Sequence, residues 1–238
     1  MSLTSALLTP ILRAAPARPL VTFYDDATGE RIELSAVTTA NWVAKTANLL
    51  RDECDVEPGG RVAVLLPAHW QTASVLLAAW SCGAEVVAEP AEADWVFCDR
   101  DRVDLALAAE PADGVVALSL DAFGRGIDGL PQGVIDFATE VRLHGDEFVP
   151  WEPVPDTAAA LAGTTVAEIL ARATARAADL GLTADSRVLS TKDWVGTPGL
   201  VDGLLAVLAA GASLVQVANP DPARLDRKYE SERCTVRL

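Results

Sequence analysis

RVAVLLPAHWQTASVLLAAWSCGAEVVAEP, residues 61–90, is the stretch whose reading decides the fold. Val62 to Leu66 is a continuous apolar run, as a strand buried on both faces of a parallel sheet requires, and Pro67 stops it. Ala73, Leu76, Leu77 and Trp80 then fall at helical spacing, Gly83 supplies a left-handed C-terminal turn, and Ala84 to Ala88 returns as a strand. The reading is a βαβ unit. A worn second copy stands at residues 187–217, RVLSTKDWVGTPGLVDGLLAVLAAGASLVQV. It repeats the opening Arg-Val, the core Leu-Leu-Ala (Leu76, Leu77, Ala78 against Leu204, Leu205, Ala206) and the closing Gly-Ala (Gly83, Ala84 against Gly211, Ala212).

Working outward, Leu20 to Tyr24 and Arg31 to Leu34 are β-rich runs around Asp-Asp-Ala-Thr-Gly, which predicts an N-terminal hairpin closed by Gly29. Ser35 can cap a helix whose Val37, Ala40, Val43, Ala44, Ala47 and Leu50 share a face. After the first βαβ unit come strands at Trp95 to Cys98 and Val115 to Leu118, with a helix at Val103 to Ala109 between them. Glycines and prolines then break the periodicity from Gly124 to Pro155 around one short helix near Val134 to Val141. The boundary between halves is placed there, giving a first αβ subdomain at 1–150 and a second, incomplete one at 151–238, packed as one globular unit. The second half reads strand (158–162), helix (166–180), strand (187–190), helix (198–210), strand (213–217), helix (222–232) and strand (234–238). The fold class is α/β, with mostly parallel sheets flanked by helices.

Composition bounds the function. Half of the 238 residues are hydrophobic, which supports a sizeable core. A net charge of −15 repels phosphate backbones and anionic headgroups, so the expectation is no nucleic acid and no membrane surface. No apolar run reaches the roughly 18 residues of a membrane span, and the N-terminus lacks the basic start of a signal peptide. Cys54, Cys82, Cys98 and Cys234 are widely spaced and only His69 and His144 could join them, so no metal site is expected and a reducing, cytoplasmic setting fits. Ser190, Asp193 and His69 could be imagined as a hydrolytic triad, but no G-x-S-x-G elbow exists and coincidence is the better reading. Of the six tryptophans, Trp80 and Trp95 read as core.

Several stretches, in order, resemble the N-terminal part of the adenylate-forming (AMP-binding, acyl-CoA synthetase-like) superfamily. They are Ile32-Glu33-Leu34-Ser35, Val56-Glu57-Pro58-Gly59-Gly60-Arg61-Val62-Ala63-Val64-Leu65-Leu66-Pro67, Gly83-Ala84-Glu85-Val86-Val87, Ala162-Gly163-Thr164-Thr165 and Leu182-Thr183-Ala184-Asp185-Ser186-Arg187-Val188-Leu189-Ser190. The resemblance covers nearly the whole chain and implies a truncated, stand-alone member built from two similar αβ subdomains.

The departures from that pattern carry the functional expectation. The family's phosphate loop, T-S-G-T-T-G-x-P-K-G, survives only as Gly163-Thr164-Thr165, followed by Val166-Ala167-Glu168-Ile169 with no second glycine, proline or lysine. Thr165-x-x-Glu168 has capping-box spacing, which would put a carboxylate at the helix end that a phosphate favours. Where many members carry an aromatic-His pair, Lys192-Asp193-Trp194-Val195-Gly196 stands instead. Pro90 to Ala93 leads straight to the next strand where the family usually inserts a helix. The resemblance therefore implies a non-catalytic binding or interaction module, with no catalytic residue assigned and no cofactor. One component of a split adenylate-forming acid–CoA ligase, or a binder of acyl or adenylate ligands, is the alternative. Any ATP or AMP would meet Gly163, Thr164 and Thr165, and a substrate would meet Trp194. The final strand, Thr235 to Leu238, would end as a sheet edge, from which a homodimer or a partner protein is expected.

Overall fold

A computed structural model describes residues 1–238. The helices are α1 (Leu3–Ala14), α2 (Ala36–Asp52), α3 (Trp70–Cys82), α4 (Val103–Ala108), α5 (Phe137–Glu140), α6 (Val166–Asp179), α7 (Gly196–Leu200), α8 (Ala206–Ala209) and α9 (Pro222–Ser231). The strands are β1 (Pro19–Asp25), β2 (Glu30–Ser35), β3 (Arg61–Leu65), β4 (Glu85–Val87), β5 (Trp95–Asp99), β6 (Gly114–Leu118), β7 (Ile135–Asp136), β8 (Ala159–Leu161), β9 (Thr164–Thr165), β10 (Arg187–Ser190), β11 (Ser213–Ala218) and β12 (Val236–Arg237). The α/β class with mostly parallel sheets is the one the sequence predicts.

The chain forms two compact units. The first holds residues 1–4, 41–66 and 74–167, and the second holds 5–40, 67–73 and 168–238. The first contains a sheet in the order β7-β6-β5-β3-β4-β8-β9, parallel except for the β8–β9 pair. The second contains the order β12-β10-β11-β1-β2, parallel except for β1–β2. This division differs from a single cut at residue 150. The expected junction lies inside the first unit, and the N-terminal hairpin belongs to the second, because β1 pairs in parallel with β11 from Val21↔Leu214 to Asp25↔Ala218. The hairpin itself forms as predicted, with Gly29 at φ +79°.

The repeat extends to individual hydrogen bonds. In the first copy Ala84 N–H bonds Ala79 O at 2.9 Å past the left-handed Gly83, and in the second Ala212 N–H bonds Val207 O at 3.0 Å past Gly211. Both are Schellman closures, in which glycine takes the left-handed position that a side chain would strain. Glu85 N–H bonds Gly60 O and Ser213 N–H bonds Ser186 O, starting β4 and β11 alike. Asp94 N–H meets Arg61 O at 2.8 Å, and Thr235 N–H meets Arg187 O at 2.8 Å. The side chains of Asp94 and Thr235 in turn accept from Arg61 N–H and Arg187 N–H. The repeat therefore runs one strand further than the sequence alignment reached, with β12 the counterpart of β5.

The copies differ in their crossovers. In the second unit α9 spans β11 to β12, and its Leu225 and Tyr229 cover Leu189, Val215, Val217 and Cys234. In the first unit one 3₁₀ turn, Pro90–Glu92, replaces that helix. Ala63 and Val87, the counterparts of Leu189 and Val215, cluster with Val96 and Cys98 under Ile127, Leu130 and Val134 from a later segment. The second copy also spends two more residues between its paired strand starts. A π turn, Val201–Leu205, takes up part of the excess inside what the sequence reads as one α-helix over 198–210. The short helix expected from Val134 begins later, because Ile135 and Asp136 pair with β6 and Asp136 then caps α5 by accepting from Thr139 N–H at 3.1 Å.

Candidate functional site

In the first unit, Gly163, Thr164 and Thr165 form the return of a tight hairpin. Leu161 pairs with Thr164 and Ala159 with Thr165, so both threonines are strand residues, half-buried. Ala162 (φ +45°) and Gly163 (φ +74°) make the two-residue connection, both in the left-handed region that such turns demand. Ala162 is the strained member, since its Cβ is disfavoured there. Thr165 directly precedes α6 and Glu168 lies in its first turn, the positions that the capping-box spacing predicts.

Gly163 N–H donates to the Glu85 carboxylate at 2.5 Å. Glu85 opens β4, whose Val86 pairs with Leu161 of β8, so the sheet itself holds this acid beside the turn. A backbone N–H that a phosphate oxygen would take is thus bound to a carboxylate. No lysine or arginine stands between Arg142 and Arg172 to offset that charge. These residues do not fit a nucleotide phosphate: the Gly163 N–H is already taken and the fixed charge beside the turn is negative. In the sequence Glu85 stands only within the Gly83-Ala84-Glu85-Val86-Val87 stretch, with no partner to mark it. Its signal was a lone acid at the head of an otherwise apolar strand.

Trp194 lies in the second unit, in the loop after β10, and is buried. Its indole packs on the π turn at Gly203, where an added Cβ would stand 2.5 Å from Trp194 Cδ1 and 2.6 Å from Nε1. The indole N–H has no partner. Gln216 Nε2 donates to Lys192 O at 3.1 Å, and Lys192 N–H donates to Ser190 Oγ at 3.1 Å, which fixes the start of the loop. Trp194 thus packs as a buried ring on the π turn.

The imagined triad does not assemble. Ser190 is fully buried and occupied by its own loop, Asp193 is exposed, and His69 accepts from Gln71 N–H through Nδ1 at 3.2 Å. Burial drives the His69 pKa down to about 3 against a weak opposing pull from Asp25, so the ring is neutral. It sits edge-on to Phe23 with centroids 4.3 Å apart, a core histidine. All four cysteines are buried thiols; burial raises Cys54, Cys82 and Cys98 to about 12 and Cys234 to about 11. No group of His, Cys, Asp and Glu has the arrangement to hold a metal ion.

Two polar assemblies escape sequence reasoning altogether. A cleft of about 690 Å³ opens at the carboxyl ends of β5, β6 and β7, lined by Arg100, Ser119, Asp121, Arg125, Asp136 and Thr139. Two of its three carboxylates are spent internally, Asp121 on Arg125 and two backbone N–H groups and Asp136 on Ile127 and Thr139 N–H, while the third, Asp128, is exposed. In the second unit Glu232 receives Tyr24 (2.5 Å), Arg31 (2.9 Å) and Arg187 (2.6 Å), from β1, β2 and β10. Two of those partners are some two hundred residues away in sequence, so no local pattern announces the hub.

No protein-family model matches the chain. Among solved structures, an acyl-CoA synthetase of Brucella canis superposes with a TM-score of 0.81 at 18% identity, covering 100% of this chain and 47% of that one. The anthranilate CoA ligase AuaEII, in complex with anthranoyl-AMP, gives 0.76 at 14% identity, covering 100% of this chain and 49% of that one. The fold is therefore that of the N-terminal portion of acyl-CoA synthetases, and the chain spans about half the length of those solved structures. A protein of Mycobacterium tuberculosis (strain ATCC 25618 / H37Rv), named "TIGR03089 family protein", is 57% identical over 239 residues, covering 98% of this chain and 97% of its own length. On that identity and coverage, the chain belongs to the TIGR03089 family.

Proposed function

We propose that this protein is a non-catalytic relative of the adenylate-forming enzymes, acting as a binding or interaction module. The observation that carries the reading is the Glu85 carboxylate on Gly163 N–H at 2.5 Å, within a closed hairpin where the family's phosphate loop would run. A carboxylate in that position opposes a triphosphate. The missing lysine removes a charge-assisted bond worth roughly 1.5–3 kcal/mol. The test is pyrophosphate exchange over a broad panel of carboxylic acids, with thermal shift against ATP, AMP, CoA and an acyl-adenylate analogue. A ligand at a hundred times its dissociation constant adds about 2.7 kcal/mol, so binding would be plain. The reading expects no exchange and no shift with ATP; exchange by the purified chain alone would sink it.

A second reading, one component of a split acid–CoA ligase, is favoured by the coverage of just under half of each solved synthetase. It requires exchange activity to appear only when a second purified chain supplies the remaining groups.

A further inference from the structure

Lys45, Asn48 and Arg51 lie three residues apart along α2 and so form one row on the helix surface. All three donate to the backbone of a single neighbouring segment. Lys45 Nζ reaches His144 O at 2.6 Å, Asn48 Nδ2 reaches Gly145 O at 3.0 Å and Glu147 O at 2.9 Å, and Arg51 Nη1 reaches Val149 O at 2.7 Å. Lys45 also pairs with Asp146 at 2.8 Å, and the Arg51 guanidinium lies over the rings of Phe148 and Trp151. Asn48 is buried, so its two bonds are shielded from water. Pro150 and Pro153 narrow the backbone choices beyond the last of these contacts. Residues 144–151 therefore form a strap fastened to the first unit by its carbonyls.

A strap fastened this way leaves large apolar side chains outside. Val149 is 73% exposed, Trp151 65%, and Leu143 at the other end 77%. Tryptophan on a rigid support is the residue type that anchors protein interfaces, since little freedom is lost when it is covered. The surround is acidic: Asp146, Glu147, Glu152 and Asp156 are all exposed. Lys45 and Arg51 are occupied by Asp146, by Asp52 and by the strap carbonyls, and Arg142, beside Leu143, donates to the carbonyls of Phe123 and Gly124.

We infer that this strap is a docking surface for a partner protein whose contacting segment is basic and carries an apolar side chain to cover Trp151 and Val149. Charge complementarity selects that occupant. A second copy would bring the same acidic strap, on a chain of net charge −15, against itself. The inference rests on the interaction-module reading but is tested apart from it, because pyrophosphate exchange reports only on that reading.

The probe is a fluorescein-labelled synthetic helix of lysine and leucine in amphipathic order, titrated with the full chain by anisotropy, beside a glutamate–leucine peptide of the same pattern. The lysine peptide should bind and the glutamate peptide should not. Trp151→Ala combined with Val149→Ala leaves net charge unchanged and should weaken binding about tenfold. Asn48→Ala, which loosens the strap without altering charge, should weaken it about threefold. Equal binding by the double variant would mean attraction to the acidic surface at large and would overturn the proposal. So would equal binding of both peptides, or strap-dependent self-association in light scattering, which would name a second copy as the occupant. If Asn48→Ala melts too early to be titrated, the double variant decides the question, since its two side chains lie outside the core.

Discussion

Replacing Glu232 by glutamine tests the charge hub of the second unit. Burial alone would raise this carboxyl, but hydrogen bonds from Arg31, Tyr24 and Arg187 outweigh it and hold the pKa at about 2. Its side chain is 8% exposed and that of Arg187 15%, so solvent screens their 2.6 Å contact little. Glutamine keeps the shape, yet it loses the charge and turns an N–H group towards a guanidinium. Because the folded pKa lies below the ordinary value, the stabilisation is complete above about pH 4.5 and fades as pH falls towards 2. At roughly 1.36 kcal/mol per pKa unit, the depression is worth about 3 kcal/mol near pH 7, of which less than half remains near pH 3. Urea unfolding of wild type and Glu232→Gln, followed by tryptophan fluorescence near pH 7 and near pH 3, reads the difference directly. The remaining acids titrate in both proteins and largely cancel in the comparison. A penalty of the same size at both pH values would refute the electrostatic account and leave only lost packing.

Other expectations follow from single contacts. Gly203→Ala places a methyl 2.5 Å from the Trp194 ring and should cost about 1–3 kcal/mol in unfolding experiments, with a change in the near-ultraviolet dichroism of that indole. The four buried thiols, all held at about 11 or above, should react with a thiol reagent only on unfolding; rapid labelling of the native protein would contradict their burial. His69 should show no imidazole titration by NMR between about pH 5 and 8, because burial keeps it neutral throughout that range. Glu85→Gln should leave the β8–β9 hairpin folded, since a glutamine oxygen can still accept from Gly163 N–H, and thermal shift should still report no gain with ATP.

Much of the fold was legible because the repeat is written in residues with local meaning. The apolar run Val62 to Leu66, the helix face of Leu76 and Leu77, and the left-handed Gly83 and Gly211 each carry their conformation on their own. What escaped depends on distant partners. The N-terminal strand joins the second sheet only through β11, nearly two hundred residues later, so the sequence suggests a cut near residue 150 while the compact units divide at other points. The π turn at Val201–Leu205 hides inside an unbroken helical pattern, because Gly203 serves the Trp194 ring and not the helix. At the candidate site, the lost lysine was visible in the sequence. That Glu85 lies on Gly163 could not be seen, since only the pairing of β4 with β8 brings them together.

The interleaving of the two units has a consequence for how the molecule can be taken apart. The chain passes from one unit to the other at 4/5, 40/41, 66/67, 73/74 and 167/168, and four of those passages fall within α1, α2, α3 and α6. No single proteolytic nick separates one unit cleanly from the other, and four of the five passages would be cut within a helix. The first unit's sheet draws all its strands from residues 61–165, whereas β1 and β2 of the second must wait for β11, nearly two hundred residues later, before their sheet can close.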